Sequence, residues 1–136
     1  MAADPIRILV VDDRAQDIAL LARTIQALAS DVEVVATAGS GAEALEVTAP
    51  YEVAVVDYRM PEMDGLELAF KLKERDPDVK VVILTAYDDT RDAVIGNPAV
   101  DDLLEKLALD RIGDVLREVT GRVEPVPARG GFFRRR

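Results

Sequence analysis

The stretch Ile6-Arg7-Ile8-Leu9-Val10-Val11-Asp12-Asp13 decides the fold class of this chain. Its first six residues are mostly apolar and β-branched, which is typical of a strand that is covered on both faces of a sheet. The apolar run then stops abruptly at two carboxylates. This pattern predicts the first strand of an α/β sheet, with acidic side chains at its carboxyl end.

The remainder of the sequence alternates in the same way between apolar runs and helical periodicity. Strands are predicted at residues 6–11, 32–37, 53–56, 79–84 and 100–105, and helices at 14–29, 42–47, 66–75, 89–95 and 109–119. In the first helix, one apolar stripe is formed by Ile18, Leu21, Ile25 and Leu28, and Gln26 lies away from it. Five strands alternating with five helices predict a parallel sheet with right-handed crossovers and helices on both faces.

Length and composition restrict the chemistry that is available. A chain of 136 residues is expected to form one compact domain. Its content of 49% hydrophobic residues excludes an intrinsically disordered composition. The chain contains neither cysteine nor histidine. Disulfides, thiolate nucleophiles, imidazole bases and Cys-ligated metals are therefore excluded. Any reaction must use carboxylates, hydroxyls and lysine.

The net charge of −9 is unevenly distributed. Residues 121–136 hold five arginines and one glutamate, a local charge of +4, so residues 1–120 carry −13. An acidic body disfavours binding to phosphate backbones, and an aromatic content of 4% without tryptophan disfavours base stacking. We therefore expect no direct nucleic-acid binding.

No part of the sequence looks like a membrane or export segment. No apolar run is long enough to cross a bilayer, and residues 1–5 lack the basic start and apolar stretch of a signal peptide. We expect no transmembrane segment and a cytoplasmic location.

Polar residues stand at the carboxyl ends of the predicted strands. Asp12 and Asp13 end the first strand, Asp57 the third and Thr85 the fourth, and Lys106 follows the fifth. Because these ends form one edge of a parallel sheet, the five side chains are expected to converge. Clustered carboxylates repel one another and need a cation, and Mg²⁺ is the ion that best suits a few carboxylate oxygens. A hydroxyl and an ammonium on the far side would complete a cradle for a phosphoryl group.

Simpler interpretations exist for individual residues. An aspartate such as Asp12 or Asp13 alone is typical of a helix cap or a turn. Thr85 alone is an ordinary end-of-strand residue, and Lys106 alone is an ordinary solvated surface charge. Asp57 differs because it directly follows four apolar residues, where an unpaired charge is costly. The pair Asp64-Gly65 is interpreted as a turn, and the pairs Asp88-Asp89 and Asp101-Asp102 as solvated caps or loop residues and not as ligands.

Four motifs together resemble the receiver domain of a two-component response regulator. They are Ile8–Asp13, the highly specific Val55-Val56-Asp57-Tyr58-Arg59-Met60-Pro61-Glu62-Met63-Asp64-Gly65, then Ile83–Ala86, and Asp101–Lys106. The resemblance covers about residues 5–120. It implies a flavodoxin-like, doubly wound, five-stranded parallel sheet in the order 2-1-3-4-5 with five flanking helices.

The resemblance also implies roles for the residues already singled out. Asp57 would be the phosphoacceptor, which takes a phosphoryl group from the phosphohistidine of a histidine kinase or histidine phosphotransfer protein. Asp12, Asp13, Asp57 and the backbone carbonyl of Arg59 would hold Mg²⁺, and Thr85 and Lys106 would contact the phosphoryl group. The chain would be a signalling switch that promotes its own Mg²⁺-dependent phosphorylation and dephosphorylation, and not an enzyme acting on an external metabolite.

The resemblance places the output surface on the face of helix 4, strand 5 and helix 5, and it admits homodimerisation on phosphorylation. Two departures concern this face. Leu103 stands where the family has an aromatic switch residue, and Leu107 stands where a proline usually follows the lysine. The Lys106–Leu107 peptide is therefore expected to be trans, or cis only under strain. Gly96-Asn97-Pro98 is expected to shorten the fourth helix. We expect competence for phosphorylation with an atypical response.

Two other functions compete with this interpretation. A pseudo-receiver, which binds proteins independently of phosphorylation, is favoured weakly by Leu103 and by the missing proline. A phosphatase with an aspartate nucleophile is disfavoured, because Arg59 stands where a second Asp is expected.

The chain is divided into a receiver domain at 1–120 and a basic, Pro/Gly-containing tail or linker at 121–136, which is expected to be disordered. As an alternative, residues 132–136 would form a docking peptide with two phenylalanines and three arginines.

Overall fold

Five parallel strands form one sheet in the computed structural model, which describes residues 4–86 and 91–122. The strands are β1 (Ile6–Val11), β2 (Val32–Ala38), β3 (Val53–Asp57), β4 (Lys80–Thr85) and β5 (Asp102–Glu105). Their order is β2-β1-β3-β4-β5, and every neighbouring pair is parallel. The predicted doubly wound fold and its strand order are confirmed.

The described residues contain five α-helical segments, of which the first four connect successive strands and the fifth follows β5. They are α1 (Ala15–Leu28), α2 (Gly41–Leu45), α3 (Gly65–Arg75), α4 (Arg91–Val94) and α5 (Ile112–Val119). Side chains cap two of them, because Ser40 Oγ accepts from the Glu43 amide at 3.0 Å and Asp64 Oδ1 accepts from the Glu67 amide at 2.9 Å. Asp64, interpreted from the sequence as part of a turn, is therefore the N-cap of α3.

The segment after β5 differs from the prediction. The expected helix from Leu109 begins as α-helix only at Ile112, and a 3-10 helix occupies Lys106–Arg111. The fourth helix is short, ending at Val94 just before Gly96-Asn97-Pro98. Its predicted first residues, at 89 and 90, lie outside the described residues.

Alternate residues along each strand supply two hydrophobic cores. Ile8 and Val10 of β1 face α1 and α5, where Ile25 and Leu116 are fully buried. On the opposite face of the sheet, the core beneath α2 and α3 contains Leu9, Val11, Ala44, Leu68 and Leu72. Each fully buried Val, Leu or Ile contributes about 1.5–3 kcal/mol of transfer free energy. Because both faces are covered, the polar site can lie only at an edge.

The predicted apolar stripe of α1 is correct at Ile18 and Ile25 but wrong at Leu28. The side chain of Leu28 is exposed, and Ala29 is buried in its place because the helix ends there and the chain turns toward β2. Gln26 lies outside the stripe and binds β2 with both ends of its amide. It donates to the Val32 carbonyl at 2.9 Å and accepts from the Val34 amide at 2.6 Å. These bonds hold an edge strand next to its bulge, where pairing with β1 skips one residue.

Across residues 4–86 and 91–122, none of the helices combines the length and the apolar character that a membrane crossing requires.

Candidate functional site

Strand register brings the predicted site residues together. Val11 pairs with Val56, so the next residues along β1 and β3, Asp12 and Asp57, emerge side by side. Thr85 ends β4, one residue beyond the partner of Asp57, and it pairs with Glu105 of β5. Lys106 directly follows the last residue of β5 and therefore lies at the same edge of the sheet as Thr85. The convergence expected from the sequence follows directly from these pairings.

The acidic residues of the site differ in exposure but lie within a small volume. Asp12 is 1% exposed and Asp57 is 8% exposed, whereas Asp13 is exposed. One carboxylate oxygen from each of the three lies within 4.8 Å of the others. Two of three mutually repelling charges are thus removed from most of their water, which is costly unless cations compensate.

Lys106 supplies one compensating charge. Its Nζ lies 3.2 Å from Oδ1 of Asp57 and 3.6 Å from Oδ2 of Asp12. The ammonium is partly open to solvent, whereas its two partners are buried. In the contacts described for residues 4–86 and 91–122, this ammonium faces two buried carboxylates while Asp13 adds a third negative charge nearby, so negative charge predominates among these four groups.

The pKa of Asp57 is raised from its ordinary value of 3.8, chiefly because burial disfavours the charged form. Lys106 opposes this rise through its charge and its hydrogen bond, while Asp12 and Asp13 add to it by repulsion. The pKa of Asp57 therefore reflects a balance between burial and acidic neighbours, which raise it, and Lys106, which lowers it. A second cation would oppose the rise.

Asp12 is held in place from its own loop as well as by Lys106. Its Oδ1 accepts from the Arg14 amide at 3.0 Å, while its other oxygen, Oδ2, faces the ammonium. This bond is a turn contact before α1 and not a helix cap, because Arg14 is the N-cap of α1 and receives no side-chain capping bond. The interpretation of such an aspartate as a turn former is therefore right for one oxygen. The other oxygen remains directed toward the site.

The donor set fits a hard divalent cation. Three carboxylate oxygens from Asp12, Asp13 and Asp57 lie close enough to share one ion, and oxygen ligands of this kind suit Mg²⁺. The excess negative charge left by Lys106 also requires a cation. The residues predicted to bind magnesium thus form a cluster with suitable chemistry.

Thr85 and Arg59 complete the set of predicted residues. Thr85 is 2% exposed at the end of β4. Arg59 lies two residues beyond Asp57, with its guanidinium 5.6 Å from the Tyr58 ring centre, in a loop lining a cavity of about 400 Å³. Its guanidinium thus lies over a neighbouring aromatic face, an arrangement typical of a cation–π contact.

A tight turn that the sequence did not predict shapes the loop after Asp57. The Met63 amide donates to the Pro61 carbonyl at 2.7 Å, and the intervening Glu62 has φ +70°. A three-residue turn with positive φ at a side-chain-bearing residue is strained. No sequence signal marks it, since glutamate rarely adopts this conformation.

The departures at the output side do not displace Lys106. The described residues contain no cis peptide bond, so the Lys106–Leu107 bond is trans and the ammonium still reaches Asp57. Leu107 is 96% exposed. Leu103 is half-buried and packs against the core beneath α2 and α3.

The other acidic pairs are not brought to the site by any described contact. Asp101 binds Lys73 and the Val81 amide, each at 2.8 Å, and Asp102 accepts from the Leu103 amide. Asp101 lies in the loop before β5, as the sequence indicated, whereas Asp102 is the first residue of β5 itself and not a loop residue. Residues 88 and 89 lie outside the described part of the chain.

The fold and the site define a doubly wound α/β domain with an acidic cluster and a lysine at the point where the winding reverses. A family model described as the response regulator receiver domain matches residues 8–115, and the chain belongs to this family. It is a receiver domain of a two-component response regulator.

Curated relatives support the same assignment. The chain is 35% identical over 125 residues to the response regulator MprA of Mycobacterium sp. strain KMS, covering 89% of this chain and 53% of that protein. It is 31% identical over 132 residues to the transcriptional regulatory protein ZraR of Escherichia coli K12, covering 94% and 29%. The chain thus spans only part of the length of these relatives.

Solved structures agree in fold. The Thermotoga maritima response regulator TrrA, crystallised with Mg(2+)-BeF, is 31% identical with a TM-score of 0.72, over 83% of this chain and 97% of that one. The receiver domain of Francisella response regulator 1452 is 28% identical with a TM-score of 0.71, over 85% and 97%.

Proposed function

We propose that this receiver domain is phosphorylated on Asp57 and that the resulting charge switches its output surface. The observation that carries the proposal is the convergence of Asp57 with Asp12, Asp13 and Lys106 at one edge of the sheet. Asp57 is the carboxylate best placed to be the nucleophile, because it belongs to the acidic cluster and lies nearer to the Lys106 ammonium, at 3.2 Å, than Asp12 does, at 3.6 Å.

In the proposed reaction, a carboxylate oxygen of Asp57 forms a bond to phosphorus while the phosphorus–nitrogen bond of a phosphohistidine breaks. The electron pair of the broken bond leaves with the donor's imidazole, and the product is an aspartyl phosphate. Residues 1–136 contain no histidine, so the phosphohistidine must lie outside them. A histidine kinase or a histidine phosphotransfer protein has the required chemistry.

Asp12, Asp13 and Asp57, with the backbone carbonyl of Arg59, are the residues proposed to hold Mg²⁺. When bound, the ion supplies positive charge to the transferring phosphoryl oxygens and offsets the repulsion among the carboxylates. The presence of Mg(2+)-BeF in the related TrrA structure supports this assignment.

Lys106 and Thr85 are proposed to receive the phosphoryl group on its other side. Lys106 neutralises charge because its ammonium already lies 3.2 Å from Asp57. Thr85 can donate its hydroxyl from the end of the adjacent strand. An aspartyl phosphate adds about −1.5 to −2 charge, which favours movement of the loops after β4 and β5 toward these new partners.

We infer that the chain acts as a switch that promotes its own phosphorylation and dephosphorylation, in the cytoplasm, with output through α4, β5 and α5. The pseudo-receiver alternative is less well supported, because Lys106 contacts Asp57 without the usual proline. Leu103 has no aromatic ring, so the aromatic switch of the family is not available. Repacking of this half-buried aliphatic side chain would instead have to transmit the phosphorylation of Asp57 to the output surface.

Phosphorylation is tested by incubating the protein with acetyl phosphate and Mg²⁺ and measuring its intact mass. The expected result is the addition of one phosphoryl group to the wild type and none to Asp57→Asn. Asp101→Asn, which changes an acid that binds Lys73 outside the site, is the matched control and should be modified normally. An unmodified wild type, or an adduct that persists in Asp57→Asn, would refute the proposal.

A further inference from the structure

Gly65 occupies a position at which no side chain fits. It is the first residue of α3 and is buried. A β-carbon there would lie 2.7 Å from the carbonyl oxygen of Asp57 and 3.0 Å from Cα of Tyr58. Both are backbone atoms, so neither can move without moving the chain at the proposed phosphoacceptor. The sequence suggested only a turn at Asp64-Gly65.

Hydrogen bonds fasten this contact on both sides. The Gly65 amide donates to the Tyr58 carbonyl at 2.8 Å and closes the loop of residues 58–65. The Tyr58 amide in turn donates to the Leu84 carbonyl of β4 at 2.9 Å. Arg59, whose carbonyl is a proposed ligand, lies inside the closed loop. The start of α3 thus packs against the backbone that carries two proposed Mg²⁺ ligands.

We propose that Gly65 is a positioning residue for the site. Because Gly65 has no side chain, the start of α3 can pack directly against the Asp57–Arg59 backbone and hold the ligands on it within reach of the other residues of the acidic cluster. The inference rests on the proposed function of Asp57 and extends it to a residue that touches neither phosphate nor metal. A methyl group at position 65 would displace the Asp57 backbone relative to Asp12 and Lys106.

Gly41 provides a matched control within the same chain. It is also buried and is the first residue of its helix, α2, directly after a capping side chain. A β-carbon there would contact the Met63 side chain, at Sδ, at Cγ (3.0 Å) and at Cβ (3.1 Å). Rotation about the bonds of the Met63 side chain can move Sδ and Cγ aside, and Cβ at 3.1 Å has to give by only a few tenths of an ångström. The same substitution therefore meets a yielding neighbour at position 41 and fixed backbone at position 65.

The test compares Gly65→Ala and Gly41→Ala in the full chain by two readouts that require no phosphorylation. In Mg²⁺ titrations, Gly65→Ala is expected to weaken binding about tenfold, the usual effect of disturbing residues that support metal ligands. Gly41→Ala should bind like the wild type. In metal-free ¹⁵N spectra, the Asp57 and Lys106 amides should move more in Gly65→Ala than in Gly41→Ala. Equal behaviour of the two variants in both readouts would overturn the proposal.

A second substitution identifies the responsible contact. A β-carbon at position 65 would also lie 3.2 Å from Cδ1 of Ile83, an atom that valine lacks. Gly65→Ala/Ile83→Val is expected to remain defective, because the clash with the Asp57 carbonyl persists. Recovery of wild-type Mg²⁺ affinity in this double variant would overturn the proposal, since the side-chain contact would then be the cause.

If Gly65→Ala does not fold, the wild type still supplies a test. Addition of Mg²⁺ should shift the Gly65 amide together with that of Asp57, while the amide of Gly41 shifts less. A Gly65 amide that does not respond to Mg²⁺ would count against the coupling. Failure of the wild type to accept a phosphoryl group would refute the proposed function alone, because these spectra do not depend on it.

Discussion

The ammonium of Lys106 lies 3.2 Å from Oδ1 of Asp57, although the two residues are 49 positions apart and end different strands. Asp57 is nearly buried, whereas Lys106 is about one-third exposed. Burial disfavours the charged form of Asp57, whereas the ammonium of Lys106 retains contact with water.

Replacing Lys106 by methionine keeps the aliphatic stem and removes the charge. The pKa of Asp57 should rise further, because Lys106 is the largest influence that lowers it. The rate of phosphorylation by acetyl phosphate should fall about 100-fold, the usual cost of removing one group that stabilises transition-state charge. Side-chain ¹³C titration and intact-mass kinetics measure the two effects. Lys73→Met, which removes a cation paired with Asp101, should leave both unchanged; a normal rate in Lys106→Met would contradict the assigned role.

Asp57→Asn is expected to stabilise the metal-free domain at neutral pH. Because the pKa of Asp57 is raised on folding, its contribution to stability is present below pH 3.8 and is lost as the pH rises through the folded-state value. The neutral amide removes this loss, so the free energy of unfolding at pH 7 should be higher than that of the wild type. Urea unfolding at pH 7 and at pH 3 measures it. The gain should shrink at the lower pH, and an equal gain at both would show that ionisation is not its cause.

Magnesium is expected to stabilise the folded chain, and Asp13 should control this effect. Binding only to the folded state adds about 2.7 kcal/mol when the ion is at 100 times its Kd. Because Asp13 is exposed, Asp13→Asn should change the metal-free stability by less than about 0.5 kcal/mol while weakening the response to Mg²⁺. Thermal unfolding with and without Mg²⁺ measures both. Asp78→Asn, at an exposed acid outside the cluster, should respond like the wild type. An identical response in Asp13→Asn would remove Asp13 from the ligand set.

Asp101 is expected to stabilise the fold without affecting the site. One of its oxygens accepts from Lys73 and from the amide of Val81, a fully buried residue of β4. Asp101→Ala leaves that amide without its side-chain partner and should cost about 1–3 kcal/mol. Lys73→Met should cost less, because the amide keeps its acceptor. Urea unfolding ranks the two variants, and a larger loss in Lys73→Met would contradict the assignment of the stability to the amide bond.

Much of the fold follows from local pattern, and the exceptions have identifiable causes. The strands were predicted to within two residues because buried parallel strands are continuous apolar runs with sharp polar ends. The short 3-10 helix after β5 was missed because its sequence, Lys106–Arg111, carries no periodic signal of its own. Leu28 was placed in the core by its spacing, but α1 ends at that residue and the smaller Ala29 is buried instead.

The candidate site was predictable for a different reason. Asp12, Asp13, Asp57, Thr85 and Lys106 could be selected because each stands at the carboxyl end of a strand, where a parallel sheet collects them. The role proposed for Gly65 could not be selected in this way. A glycine after an aspartate is typical of many turns. Gly65 is distinguished only by the close approach of the α3 backbone to the backbone of Asp57, which the sequence does not reveal.

By itself, the sequence determined the parallel architecture, the set of polar residues at its carboxyl edge and the absence of any imidazole. Those properties depend on the period and chemistry of nearby residues. Only the tertiary structure decided the burial of Asp57, the contact of Lys106 with Asp57 in the absence of a following proline, and the close approach of Gly65 to the Asp57 backbone. Each of these depends on strand register and on the approach of distant segments, and therefore on the packing of the whole chain.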